Sequence, residues 1–132
     1  MTSRGVLDTS VFIASESGRG LDAESLPEES AITVITLAEL QAGVLAAKDT
    51  PTRARRLATL EALGDIEVLD VDPASALVWA QMRVHLAEAG HRITINDLWI
   101  AACAASRGLP VVTQDDDFAP VQGIAGLVVI RI

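Results

Sequence analysis

Residues 5–14 (GVLDTSVFIA) contain an aspartate at the point where an apolar strand pattern changes to a helical one. Residues 6–7 form a short apolar run typical of a buried strand, and the apolar residues that follow predict a helix capped by Thr9 or Ser10. Asp8 therefore lies at the carboxyl end of a predicted strand. Ligands of open parallel α/β sheets bind beyond this end of the strands, so the position of Asp8 indicates a functional carboxylate.

The rest of the chain alternates between the same two patterns. Apolar runs predict further strands at residues 31–35, 66–71, 111–113 and 127–130. Helical periodicity predicts helices at residues 37–47, 51–63, 73–89 and 97–107. Residues 15–29 are polar and contain glycine, which predicts a loop or a short helix. Strands that alternate with helices indicate an α/β fold with a parallel sheet, and the length without a linker indicates one domain, residues 1–132. Acidic residues alternate with apolar ones in the strand at 66–71, which indicates an edge strand.

The composition limits the classes of protein to which this chain can belong. Acidic residues outnumber basic ones 18 to 10, which gives a net charge of −8. Nucleic-acid-binding proteins usually carry a basic surface, but carboxylates that bind metal ions count toward this total while the ions do not. Cys103 is the only cysteine, so an internal disulfide is excluded. The chain shows no signal peptide and no uninterrupted apolar stretch of about 18 residues, which predicts a cytoplasmic protein.

Three further acidic residues occupy settings similar to that of Asp8. Glu39 lies in VITLAEL, Asp97 begins the apolar part of NDLWIAACAA, and Asp115 starts the acidic run in PVVTQDDDF. Two carboxylates about 5 Å apart repel each other by roughly 3 kcal/mol at an effective dielectric constant near 20. A divalent cation converts this repulsion into binding. The pattern therefore points to oxygen-ligated Mg²⁺ or Mn²⁺.

Four motifs in one order span nearly the whole chain: LDTSVFI, the acidic residue in TLAEL, DLWIAA and TQDDDF. Together they resemble the PIN domain, and in particular the VapC toxins of bacterial toxin–antitoxin pairs. The resemblance implies an α/β/α sandwich with a mostly parallel sheet of about five strands. It also implies a metal-dependent endoribonuclease that acts as the toxin of a type II pair and hydrolyses RNA phosphodiester bonds with an activated water. The implied partners are RNA, a VapB-type antitoxin and a second copy in a homodimer.

The resemblance assigns roles to particular residues of this chain. The implied catalytic residues are Asp8, Glu39, Asp97 and Asp115. The implied metal ligands are Asp8, Asp97, Asp115 and Asp117. The implied supporting residues are Thr9, Thr113 and Asn96. The acidic run leaves open whether Asp115 or Asp117 is the closer ligand, and Asp115 is preferred because it lies just past the end of the predicted strand.

Arginines close to Asp97 in the sequence are candidates for holding RNA phosphates, since guanidinium groups suit phosphate geometry. Arg92 is the first candidate because it is the nearer, and Arg83 is the second. Ion pairs or solvated helix faces are the alternative for both. Trp79 and Trp99 lie in helical apolar patterns, which predicts packing in the core or an interface rather than base stacking.

The resemblance also implies a groove for the C-terminal segment of the antitoxin. Helices of the N-terminal half of the family's fold pack in the homodimer and form this groove. In this chain the apolar faces of residues 37–45 and 57–63 would serve.

Other functions fit the residues less well. A phosphoryl-accepting receiver domain needs a lysine after a late strand, and the only lysine is Lys48. A phosphatase with an aspartate nucleophile needs a second aspartate where Ser10 stands. Asp97 taken alone fits a helix N-cap. The main alternative is a catalytically inactive PIN-like module that acts only through its partner, and the four mutually repelling carboxylates argue against it.

Overall fold

Five parallel strands form the centre of the structure, a computed structural model that describes residues 4–132. The strands are β1 (Arg4–Leu7), β2 (Glu29–Thr33), β3 (Glu67–Leu69), β4 (Val111–Thr113) and β5 (Val129–Arg131). Their order in the sheet is β3-β2-β1-β4-β5, and every neighbouring pair is parallel. The predicted α/β class is confirmed, and so is the edge position of the strand at β3.

Helices cover both faces of this sheet. They are α1 (Thr9–Glu16), α2 (Val34–Ala46), α3 (Thr50–Ala62), α4 (Pro73–Ala89) and α5 (Ile95–Ala105). Short 3₁₀ turns occur at Ala23–Ser25, Ala119–Val121 and Ile124–Gly126. The first of these turns lies in the segment for which the sequence predicts a loop or a short helix. Within residues 4–132, no helix has the length and apolar character needed to cross a lipid bilayer.

Alternate residues of each strand face opposite layers of helices, because side chains of a strand alternate between its two faces. Val6 belongs to the core cluster that contains Met82 of α4 and Ile100 of α5, all three of them fully buried. The next residue, Leu7, packs on the other side with Val11 of α1. The fold is therefore the α/β/α sandwich that the resemblance implies.

Several helices begin earlier than the sequence predicts, α1 and α2 among them. α1 begins at Thr9, and Asp8 itself occupies the N-cap position without a side-chain capping hydrogen bond. α2 begins at Val34, and the side chain of Thr33 accepts a hydrogen bond of 3.2 Å from a backbone N–H of the first turn. The predicted second strand therefore ends before residue 35. As a consequence Glu39 lies in the second turn of α2 and not in the first.

Asp97 is not a helix cap, which corrects one of the alternative interpretations of this residue. α5 begins at Ile95, and Thr94 occupies its N-cap position. Thr94 Oγ1 accepts a hydrogen bond of 3.2 Å from the backbone N–H of Asp97. The threonine, and not Asp97, therefore caps the first turn of α5.

Candidate functional site

The carboxyl ends of the parallel strands lie at one edge of the sheet, and the four predicted acids are placed there. Asp8 directly follows β1, and Asp115 follows β4 after one intervening residue. Glu39 projects from α2 and Asp97 from the first turn of α5. These carboxylates are close enough to affect one another's pKa. The charges of Asp97 and Asp115 raise the pKa of Asp8, and the charges of Glu39 and Asp115 raise the pKa of Asp97. We call these four residues the acidic cluster.

Asp8 is the most buried member of the acidic cluster, with 3% of its surface exposed. Its Oδ1 accepts a hydrogen bond of 2.6 Å from Ser10 Oγ, and its Oδ2 accepts one of 3.1 Å from Thr113 Oγ1. The pKa of Asp8 is raised to about 6, mainly by burial and also by the negative charges of Asp97 and Asp115, while the hydrogen bonds from the two hydroxyls lower it. Each carboxylate oxygen retains lone pairs beyond these bonds.

Ser10 is a member of the site that sequence reasoning missed. Besides its bond to Asp8, its Oγ accepts a hydrogen bond of 3.0 Å from the backbone N–H of Gln114 and lies 3.3 Å from Thr113 Oγ1. Ser10 thus joins the first turn of α1 to the loop after β4. The signal in the sequence was a hydroxyl residue two positions after Asp8, which was interpreted as a possible helix cap.

A second hydroxyl group supports Glu39. Thr9 Oγ1 donates a hydrogen bond of 2.7 Å to Glu39 Oε1 and lies 3.1 Å from Oγ1 of the buried Thr36. Thr9 therefore contacts the carboxylate of α2 and not the aspartate that precedes it in sequence. α1 and α2 are joined at the site by this contact.

The acidic run after β4 is held in place by contacts from Thr113 of β4 and Arg131 of β5. The backbone N–H of Asp115 donates a hydrogen bond of 3.0 Å to Thr113 Oγ1. Arg131, in β5, forms an ion pair of 2.6 Å with Asp116 and donates from Nε to the carbonyl of Gln114 at 3.3 Å. Asp116 is thereby directed toward β5, while Asp115 is partly buried at the acidic cluster.

Asp97 carries the second raised pKa of the site. Burial raises its pKa, a hydrogen bond with the Thr94 side chain lowers it, and the nearby charges of Asp117, Glu39 and Asp115 raise it. Asp117 is exposed, and its charge raises the pKa of Asp97. The charge of Asp115 raises the pKa of both Asp97 and Asp8. Asp115 is therefore close enough to both aspartates with a raised pKa to affect their ionisation.

The chemistry of these groups suits a hard divalent cation. All side-chain donors are carboxylate oxygens, which Mg²⁺ and Mn²⁺ prefer over nitrogen or sulfur. A bound cation would lower the pKa values that burial and mutual repulsion raise at Asp8 and Asp97. Across the described residues 4–132, no three acidic, histidine or cysteine side chains already converge tightly enough to form a metal site. The acidic cluster is therefore an open set of ligands rather than a closed cage.

The remaining predicted residues surround the acidic cluster at different distances. Arg92 lines a cleft together with Asp97 and Asp117, and we call this cleft the acidic cleft. Arg83 lines a neighbouring cleft instead. Asn96 is exposed in the first turn of α5, and within residues 4–132 its side chain makes no hydrogen bond to the acidic cluster.

The two tryptophans stack on each other, and Trp79 packs against the core as predicted. The ring centroids of Trp79 and Trp99 are 5.0 Å apart, with an angle of 20° between the ring planes.

Another cleft, of about 540 Å³, opens between α1, α2 and α3 and borders the acidic cluster. We call it the helical cleft. Its residues include Thr9, Ile13, Glu16, Glu39, Leu40, Arg55 and Arg56. Ile13 is 48% exposed, and Leu45 and Leu57 of the predicted docking faces are also exposed. The lining of the helical cleft thus combines carboxylates, guanidinium groups and apolar side chains.

Comparisons with known proteins agree with this fold. Residues 5–124 match the family model described as PIN domain. The chain is 62% identical over 128 residues to Ribonuclease VapC5 of Mycobacterium tuberculosis, covering 97% of this chain and 95% of the relative. It is 39% identical over 121 residues to Ribonuclease VapC4 of the same organism, covering 92% and 93%. The crystal structure of VapBC-5 from M. tuberculosis, a member of the VapBC family of toxin–antitoxin systems, superimposes with a TM-score of 0.92 at 58% identity, covering 98% of this chain and 99% of that chain.

Proposed function

The chain belongs to the PIN-domain family and is a ribonuclease of the VapC type, and we propose that the acidic cluster is its catalytic centre. The observation that carries this assignment is the buried Asp8 carboxylate, whose pKa of about 6 reflects burial and the charges of Asp97 and Asp115. Burying an acid among other acids costs stability unless it serves a function, and perturbed pKa values of this kind are characteristic of active sites.

Within the centre, we assign metal binding to Asp8, Asp97 and Asp115. Asp117 is a further ligand, bound directly or through water. Glu39 completes the set or orients the attacking water, and Thr9 holds its carboxylate. Mg²⁺ or Mn²⁺ bound there would lower the pKa of a coordinated water and offset the negative charge of the phosphate.

The protein itself contributes position and charge. Ser10 and Thr113 hold the two oxygens of Asp8 in one orientation, since each hydroxyl bonds a different oxygen. The RNA backbone is negative and is repelled by the acidic cluster, so it needs cationic groups beside the cluster. Arg92 lines the acidic cleft and is suited to hold a phosphate next to Asp97.

Cleavage by purified protein tests this function. We expect single-stranded RNA to be cut in the presence of Mg²⁺ or Mn²⁺ and to remain intact when both are removed with EDTA. Because water is the nucleophile, the products should carry no 2′,3′-cyclic phosphate, which would form if the RNA 2′-hydroxyl attacked instead. Gel analysis and end-group mapping measure both points. Protein that is folded and binds its antitoxin but cuts no RNA with either metal would favour the inactive binding module.

We further propose a VapB-type antitoxin as the partner that blocks this centre. The toxin–antitoxin assignment of the superimposed VapBC-5 structure supports such a partner. The helical cleft suits its inhibitory segment, since Ile13 and Leu40 offer apolar contacts while Glu39 offers a carboxylate to an arginine of the partner. The homodimer and the cytoplasmic location stay predictions.

A charge placed in the helical cleft tests this docking site. We expect Ile13→Asp to weaken inhibition by the antitoxin encoded beside this chain at least tenfold, because an apolar contact would be replaced by a buried charge. RNA cleavage by the free variant should be unchanged. Val84→Asp, at an exposed position on α4, is the matched control. Equal inhibition of wild type and Ile13→Asp would exclude this cleft as the docking site.

A further inference from the structure

A cleft of about 520 Å³ lies at the ends of α4 and α5 that face each other, and neither the catalytic centre nor the helical cleft includes it. We call it the tryptophan cleft. Its lining includes Trp79, Arg83, His91, Arg92, Ile93 and Ile95. The side chains combine an aromatic ring and aliphatic groups with two guanidinium groups. A volume of this size is within the usual range for small-ligand sites.

The tryptophan cleft adjoins the acidic cleft, with which it shares part of its wall. Arg92 and Ile93 line both of them, and the acidic cleft also contains Asp97 of the acidic cluster. A linear molecule that lies across the acidic cluster can therefore extend into the tryptophan cleft past the Arg92 side chain. The next phosphate along a nucleic-acid strand would come close to Arg83.

The arginines of this cleft are available for a ligand. Arg83 and Arg92 are exposed and form no ion pair within residues 4–132. Of the other arginines in residues 4–132, Arg107 pairs with Asp72 and Arg131 pairs with Asp116, while Arg19, Arg53, Arg55 and Arg56 form no ion pair either. The two exposed guanidinium groups that line this cleft offer positive charge to an anionic ligand.

The wall of the cleft also offers apolar surface on which a nucleobase could pack. Ile95 is 67% exposed at the cleft, which is a large apolar surface for a residue next to the site. Trp79 Nε1 is buried and has no hydrogen-bond partner. Stacked aromatic and aliphatic surfaces beside cationic groups are the combination that binds unpaired bases and their phosphates.

We propose that the tryptophan cleft is a nucleotide subsite of the RNA substrate, next to the scissile phosphate. Arg92 and Arg83 bind two successive phosphates, and the base between them packs against Ile95 and the wall formed by Trp79. The proposal rests on the ribonuclease function and specifies where the substrate continues beyond the catalytic centre. A second copy of this chain is the competing occupant, but it would bury both arginines, whereas RNA phosphates neutralise them.

Tryptophan fluorescence tests the subsite directly. In the variant Trp99→Phe, Trp79 is the only tryptophan, so its emission reports on the tryptophan cleft alone. We expect a saturable fluorescence change when a random-sequence single-stranded RNA decamer is added in EDTA, with the RNA checked for integrity on a gel. Adding Arg83→Gln and Arg92→Gln should weaken binding at least tenfold. It should also reduce the slope of log K against log salt concentration by about 1.4, because two phosphate contacts are lost.

Lys48→Gln is the matched control, because it removes one positive charge far from the cleft. Lys48 lies beyond the end of α2, whose 13 residues span about 20 Å from the site edge. We expect Lys48→Gln to bind RNA within twofold of its parent. Equal affinity of the control and of the double arginine variant would overturn the proposal.

Kinetics separate failure of the subsite from failure of the function. In RNA cleavage, the double arginine variant should raise KM at least tenfold and change kcat less than threefold. If the wild type cleaves RNA and the variant keeps its KM, the subsite is wrong and the function stands. If the wild type cuts nothing but binds RNA with this arginine dependence, the subsite stands and the function is wrong. Light scattering tests whether a second copy of the chain occupies the cleft. If Ile95→Ser changes the molecular mass in solution and RNA affinity changes only with that mass, the cleft is an interface between copies. The proposal then fails.

Discussion

Replacing Asp8 or Asp97 by asparagine is expected to reduce RNA cleavage at least about 1000-fold while the fold is retained. Each substitution removes one negative oxygen ligand but keeps the side-chain volume. The loss corresponds to about 4 kcal/mol of transition-state stabilisation, which is within what a catalytic metal supplies. Single-turnover cleavage of a labelled RNA with saturating Mg²⁺ measures the effect, and circular dichroism checks the fold.

Asp65→Asn is the matched control for this prediction. Asp65 is exposed and precedes β3, at the opposite edge of the sheet from the acidic cluster. We expect its activity to equal that of the wild type. If Asp8→Asn or Asp97→Asn cleaves RNA within tenfold of the wild type, that residue does not hold the catalytic metal.

The second large expected effect is on the stability of the folded protein. Asp8 is expected to lower this stability at neutral pH, although we also expect it to be needed for activity. Asp8 has a usual pKa of 3.8, which burial raises to about 6 in the folded protein. Between these pH values the folded state binds more protons than the unfolded state, so stability falls as the pH rises. At neutral pH the charged Asp8 then costs about 3 kcal/mol. Asp97 has a pKa shift in the same direction and adds to this loss.

Asp8→Asn should therefore stabilise the protein at pH 7 in EDTA. We expect a net gain of about 2 kcal/mol, since a neutral amide removes the charge but accepts the hydroxyls of Ser10 and Thr113 less well. The melting temperature should rise by roughly 5–10 °C. Thermal unfolding at a series of pH values from 4 to 7 measures this, and the variant should lose much of the pH dependence of the wild type.

Adding Mg²⁺ should stabilise the wild type more than Asp8→Asn, which is the opposite of the difference expected in EDTA. By linkage, a cation that binds only the folded state raises the melting temperature of the wild type. The rise should be much smaller for Asp8→Asn, which lacks a ligand. Equal Mg²⁺ shifts in both proteins, or a wild type whose stability does not fall between pH 4 and pH 6, would contradict the role assigned to Asp8.

Much of the fold could be predicted because its signals are local. Asp72 accepts a hydrogen bond from Ser75 N–H at the start of α4, and Gly90 ends that helix with a φ of 71°. Both residues act within one turn of their own helix, so the sequence pattern was sufficient to place them. The predicted starts of α2 and α5 were wrong because Thr33 and Thr94 cap these helices, and the sequence pattern did not identify either threonine as a cap.

The connections within the site could not be predicted in the same way. Asp8 and Thr113 are 105 residues apart, and Ser10 and Gln114 are 104 apart. These contacts exist because β1 and β4 are neighbours in the sheet, and no local pattern specifies which strands become neighbours. The same holds for Thr9, whose partner Glu39 is brought to it by α2.

The amino-acid sequence by itself determined which residues lie at strand ends and helix starts, and hence that acids such as Asp8 and Asp115 stand where a parallel sheet can use them. Short-range periodicity and capping decide these features. Only the tertiary structure decided which hydroxyls bond which carboxylates, how far burial raises the pKa of Asp8, and that Arg92 joins two clefts. Strand order and helix packing set these properties, and both depend on contacts between residues far apart in the chain.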